Sequence, residues 1–179
     1  EGMDKYPLEI KGYKVELPIL PIDNGIKICF FNLHGAQELT EHCAKHIAEL
    51  VKGCDIVITA ESKGLQLAHC VARNLGQKFY AVARKSLKLY MQDGISVTVK
   101  SITTKNVQTL YLSAHDAGLL KGKKVAVVDD VISTGGSLLG LEALIAKAGG
   151  EVFAKAFVLA EGDAAKREDV KFLATIPLL

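Results

Sequence analysis

Along this chain, short apolar runs alternate with longer stretches in which apolar residues recur every three or four positions. Residues 13–20 and 26–32 read as two short strands, separated by the turn formers Pro21, Asp23, Asn24 and Gly25. In 37–52, Leu39, Cys43, Ile47, Leu50 and Val51 share one stripe, which predicts an amphipathic helix closed by Gly53. The run 55–60 predicts a buried strand, 65–75 a helix stopped by Gly76, and 79–83 another strand. Further on, 124–129 reads as a strand buried on both faces, 138–148 as a helix ended by Gly149 and Gly150, 152–159 as a buried strand and 172–178 as a last strand. The stretch 162–169 is polar and reads as surface.

Strand and helix alternate, so the expected fold is α/β: a parallel sheet with helices on both faces. One segment breaks the pattern. Residues 85–109 are polar, with Lys88, Gln92, Asp93, Lys100, Lys105 and Asn106, yet 95–99 alternate and 107–112 are strand-like. This predicts a β-hairpin or mobile excursion rather than core.

In a parallel sheet, ligands bind at the carboxyl ends of the strands. That rule brings together 60–64, 84–88 and 129–137. The last is the richest in chemistry. An apolar run ends in Asp129 and Asp130, then Ser133, Thr134, Gly135, Gly136 and Ser137 lead into a helix. The glycines let the backbone turn and approach a ligand. The helix start offers unpaired N–H groups and a partial positive charge, which suit a phosphate. The two carboxylates suit sugar hydroxyls or a hydrated Mg²⁺. The competing reading is a buried strand followed by a helix capped by Ser133 or Ser137. It leaves two adjacent carboxylates at a strand end without an explanation, since burial of charge is costly without partners. In 59–64, Ser62, Lys63 and Gly64 place a hydroxyl, a cation and a glycine at a second helix start. Arg84, Lys85 and Lys88 end another strand with three cations.

Size and composition narrow the picture further. The 179 residues fit one domain with a real core, 49% hydrophobic and 23% charged. A net charge of +2 argues against a dedicated nucleic-acid binder, and no apolar run approaches a membrane span. Cys29, Cys43, Cys54 and Cys70 form no C-x-x-C pair, which favours a reduced, cytoplasmic chain. A zinc site at His42 and His46, four apart with Cys43 beside them, is weighed against a solvated helix face, and the face is preferred.

The string Val127-Val128-Asp129-Asp130-Val131-Ile132-Ser133-Thr134-Gly135-Gly136-Ser137 resembles the phosphoribosyl-pyrophosphate motif of the type I phosphoribosyltransferases. Arg84-Lys85-x-x-Lys88-Leu89 is similar to the Arg-Lys-x-Gly-Lys-Leu signature of the adenine group. Ala60-Glu61-Ser62-Lys63-Gly64 lies where that group has its diphosphate loop, Leu-Asp-Ser-Arg-Gly. The similarity spans about residues 56–159. It implies a single 1–179 phosphoribosyltransferase domain with the type I fold, in which 13–32 and 160–179 form a small hood and 88–112 a flexible β-hairpin loop that closes over the reaction.

Residue by residue, the resemblance implies that Asp129 and Asp130 contact the ribose hydroxyls, partly through Mg²⁺, and that Ser133, Thr134, Gly135, Gly136 and Ser137 hold the 5′-phosphate. Glu61, Ser62, Lys63 and Gly64 would hold the diphosphate, with a cis bond at Glu61-Ser62. Arg84, Lys85 and Lys88 would reach the diphosphate, across the interface of a homodimer. The implied reaction joins the phosphoribosyl group of phosphoribosyl pyrophosphate to a purine base, adenine first, with xanthine, guanine and hypoxanthine as alternatives. Phe30 or Phe31 could stack on the base, with core packing as the competing reading for each. One departure matters: the adenine group carries Glu-Tyr-Gly in the closing loop, and 105–113 here contain no Glu. A regulator that binds phosphoribosyl pyrophosphate without chemistry is the rival class. A P-loop NTPase is excluded, because Gly122-Lys123-Lys124 lacks both the preceding glycine spacing and the following Ser or Thr.

Overall fold

The computed structural model describes residues 4–100 and 107–179. In chain order the elements are β1 (Lys5–Ile10), β2 (Tyr13–Pro21), β3 (Lys27–Cys29), α1 (Gln37–Leu50), β4 (Ile56–Ala60), α2 (Leu65–Asn74) and β5 (Ala81–Ala83). They continue with β6 (Ile95–Lys100), β7 (Val107–Leu112), α3 (Ala114–Leu120), β8 (Lys124–Ile132), α4 (Gly136–Lys147), β9 (Glu151–Glu161) and β10 (Lys171–Ile176). The sheet order β10-β9-β8-β4-β5, parallel at every pairing, is the expected α/β architecture.

Side chains on β8 alternate between two cores, as a pleated strand requires. Ala126 and Val128 meet Cys43 and Ile47 of α1 and Leu67 and Val71 of α2. Val125 and Val127 meet Leu120, Leu141, Leu144 and Ile145. All five residues of β4 are buried, which explains its unbroken apolar sequence.

The antiparallel sheet β1-β2-β3 forms the hood and packs on the α1 side through Ile10, Leu17 and Cys29. Of the C-terminal segment 160–179 expected in the hood, only the last residues join it. Lys27 and Leu179 exchange backbone hydrogen bonds of 2.9 and 3.0 Å, whereas β10 is an edge strand of the central sheet.

Most of the described part of 85–109 is exposed or half-buried, as expected, and the returning strand enters the core just beyond it. The hairpin exists, with Ile95 paired to Leu112 and Lys100 to Val107. Leu110 and Leu112 are fully buried beside α4. Gly140 makes that packing possible, since a β-carbon there would lie 2.6 Å from Leu110 Cδ1. Arg84 and Tyr111 also exchange two 2.9 Å backbone bonds, which ties the hairpin to the β5 edge. The tip of the expected closing loop, with Lys105 and Asn106, lies outside the described residues.

Two elements escaped the sequence reading. β1 is a half-exposed edge strand that contains Pro7. α3 is short, but its start carried a signal: the Ser113 hydroxyl accepts from the Asp116 amide, a Ser-x-x-Asp cap.

Candidate active site

β8 delivers Asp129 and Asp130 to the carboxyl edge of the sheet. One oxygen of each is fixed by the following amide: Asp130 N–H donates to Asp129 Oδ1 at 2.8 Å, and Val131 N–H to Asp130 Oδ1 at 2.8 Å. Burial, and then the neighbouring Asp130 carboxylate, pushes the Asp129 carboxyl well above the usual range; the Lys85 ammonium opposes that shift. A bound cation or sugar hydroxyls would meet strong fields beside two adjacent carboxylates.

The chain then turns through Ser133–Ser137 around a hollow of about 170 Å³ that Asp129 also lines. Gly135 adopts a left-handed backbone, φ 82°, and α4 starts directly after it with no side-chain hydroxyl as its cap. The capped-helix reading of Ser133 and Ser137 is therefore not realised. The first amides of α4 are left for an anion.

β4 delivers the second loop. The Glu61-Ser62 peptide is cis, as the resemblance implied. Ser62 and Lys63 are exposed, and α2 begins after Gly64, again with no side-chain cap. Gly64 sits where no side chain fits: a β-carbon would lie 2.3 Å from Thr59 Oγ1 and 2.6 Å from Asp129 Oδ1. The second loop and the carboxyl end of β8, far apart in sequence, thus meet at this glycine. Thr59, fully buried, has no hydrogen-bond partner for its hydroxyl among the described residues.

The Glu61 carboxylate turns toward β5. It accepts from Arg84 Nε at 2.9 Å and from the Lys85 amide at 2.7 Å. The amide chiefly, and then Arg84, holds its pKa below the usual carboxylate value. Arg84 Nη1 also donates to the Tyr90 hydroxyl at 2.6 Å, a partner the sequence did not suggest. Arg84 is therefore fixed on three sides, counting its backbone bridge to Tyr111. Lys85 is exposed and Lys88 half-buried on the same strand end.

Phe30 and Phe31 separate cleanly. Phe31 is 3% exposed within the first core, so its ring is spent on packing. Phe30 is half-buried, and the Lys63 ammonium stands 5.1 Å from its ring centroid. This contact joins the hood to the second loop. The His42 and His46 rings meet edge to face at 4.8 Å, with His42 Nε2 2.8 Å from the Ile10 carbonyl oxygen. Burial pushes the Cys43 thiol up to about 12.

A parallel sheet whose strand ends carry two uncapped helix starts, a carboxylate pair and a fixed arginine is suited to a ligand with anionic groups. Residues 32–177 match the phosphoribosyl transferase domain, and this chain belongs to that family. An adenine phosphoribosyltransferase of Thermotoga sp. (strain RQ2) is 36% identical over 154 residues, covering 85% of this chain and 87% of the relative. A hypoxanthine/guanine phosphoribosyltransferase of Methanococcus voltae is 30% identical over 163 residues, covering 91% and 80%. In structure, the adenine phosphoribosyltransferase of Thermoanaerobacter pseudethanolicus superposes with a TM-score of 0.73 at 20% identity, covering 89% of this chain and 95% of the other.

Proposed function

We propose that this protein transfers the phosphoribosyl group of phosphoribosyl pyrophosphate to a purine base, adenine first, giving a nucleoside monophosphate and diphosphate in purine salvage. The observation that carries the reading is the packing of Gly64 against Asp129, which sets the second loop beside the carboxylate pair. Loop 133–137 takes the 5′-phosphate, the amides of Ser62, Lys63 and Gly64 take the diphosphate, and Asp129 and Asp130 lie between them for the ribose.

Displacement at C1 leaves positive charge on the sugar and negative charge on the departing diphosphate. Positioning and electrostatics therefore dominate the catalysis. Arg84 and Lys63 offset the charge on the leaving group. Glu61 acts through Arg84, which it holds in place. The residues fit Mg²⁺: two adjacent carboxylates, each held through Oδ1 by a following amide, beside loops for substrate phosphates, match the way this ion is bound. When bound by Asp129 and Asp130, partly through water, it would neutralise diphosphate charge. In the loop 88–112 the resemblance implies a closing element, whose task would be to keep water from the activated sugar.

The same reading makes the chain a cytoplasmic homodimer, with Leu87, Leu89 and Tyr90, all exposed beside Arg84, as the contact face. Relatives of similar identity bear both adenine and hypoxanthine/guanine names, so the base is the open choice. Diphosphate release is to be measured with phosphoribosyl pyrophosphate, Mg²⁺ and adenine, hypoxanthine, guanine or xanthine. Adenine is expected to give the highest kcat/KM. Release with another base alone would move the specificity, and release with none would favour a non-catalytic binder.

A further inference from the structure

We infer that Arg167, in the polar stretch after β9, is a phosphate-selecting residue of the loop 133–137. This rests on that loop holding the 5′-phosphate. The loop itself contains no cation: its five residues are Ser133, Thr134, Gly135, Gly136 and Ser137. Amides and a helix dipole supply only partial charge, whereas a phosphate monoester carries nearly two negative charges at neutral pH.

Arg167 brings the missing charge. Its guanidinium is clamped by Asp169, which accepts from Nε at 2.9 Å and from Nη2 at 2.7 Å. That leaves Nη1 with no hydrogen-bond partner among the described residues, and Nη1 is the atom turned to the loop. A β-carbon on Gly135 would stand 2.7 Å from it. The glycine is thus required twice, for its left-handed backbone and for the space that the guanidinium fills.

The clamp is itself anchored. Lys155 of β9 binds Asp169 at 2.9 Å and lies 3.7 Å from Glu142 of α4. A chain of alternating charges therefore runs from α4 across β9 to Asp169 and Arg167, and returns to the start of α4 at Gly135. Arginine suits this place because one face of its fork can be held while the other still donates. The side chain is about a third exposed, so it can meet an arriving anion without being buried uncompensated.

The test is calorimetric binding of ribose 5-phosphate and, separately, of inorganic diphosphate to the full chain, wild type, Arg167→Gln and Arg167→Lys. Loss of a charge-assisted bond predicts ribose 5-phosphate affinity about tenfold weaker in Arg167→Gln. Diphosphate affinity should stay unchanged, and Arg167→Lys should recover part of the loss. Ribose 5-phosphate affinity within twofold of wild type in Arg167→Gln overturns the assignment. Equal weakening for both ligands also overturns it, since that would mark a merely structural residue. A wild-type chain that binds diphosphate but not ribose 5-phosphate would instead remove the 5′-phosphate reading of the loop, and this inference with it.

Discussion

The α-carbon of Gly64 is pressed against the carboxylate of Asp129, so closely that a β-carbon would stand 2.6 Å from Oδ1, and 2.3 Å from the buried hydroxyl of Thr59. Neither neighbour can retreat cheaply, because Thr59 is fully buried in β4 and Asp129 is fixed by the amide that follows it. Gly64→Ala should therefore cost about 1–3 kcal/mol of stability through overpacking. It should also lower kcat at least tenfold by moving the carboxylate. Thermal unfolding and steady-state rates check this; near wild-type turnover would show that the contact is not functional.

The double substitution Asp129→Asn with Asp130→Asn should reduce turnover by about two orders of magnitude or more, the scale of losing electrostatic groups at a reacting centre. Because burial already disfavours the charged form of Asp129, the fold should survive. Circular dichroism and melting should stay close to wild type while diphosphate release collapses.

Gly135→Ala combines a left-handed backbone with a β-carbon set against Arg167. The backbone part alone costs about 1–2 kcal/mol. Displacement of the guanidinium should raise KM for phosphoribosyl pyrophosphate more than KM for the base. Equal change in both constants would argue against a link between Gly135 and the 5′-phosphate.

Phe30 and Phe31 should part company under mutation. Phe31→Ala, in the core, should cost about 3–5 kcal/mol of stability. Phe30→Ala should leave melting nearly unchanged and raise KM for the base. A Phe30→Ala variant with an unaltered base KM would exclude the ring from the base site.

Glu61 provides a pH signature. Its folded pKa lies below the ordinary glutamate value, first through the Lys85 amide and then through Arg84. The associated stability is therefore present above the unfolded pKa of about 4.3 and is lost as pH falls through the lower folded value. The melting deficit of Glu61→Gln against wild type should be largest at pH 6–7 and shrink toward pH 3. A deficit that is constant over this range would show that the ionised carboxylate contributes nothing.

What could be read without coordinates follows from how locally each feature is encoded. The loop 133–137 and the two aspartates before it fall within nine consecutive letters, 129–137, so their chemistry shows in the sequence. The α3 start was equally local, and the Ser113-x-x-Asp116 cap would have revealed it. The hairpin is the contrary case. Its alternation was visible at 95–99, but the polar residues around it suggested an excursion. The burial of its returning strand depends on Gly140, a residue thirty positions beyond Leu110 that makes room on α4.

The sequence by itself determined the alternating α/β pattern, the parallel sheet and the run of carboxylates, hydroxyls and glycines at 129–137, because hydrophobic period and glycine placement act over a few residues. Only the tertiary structure decided that Gly64 meets Asp129, that Glu61 serves Arg84 and that Phe30 rather than Phe31 keeps an open ring. It alone also placed Arg167 beside Gly135. Each of these is a contact between strand ends or loops far apart in the chain. Such contacts are set by strand order and packing, which no local pattern encodes.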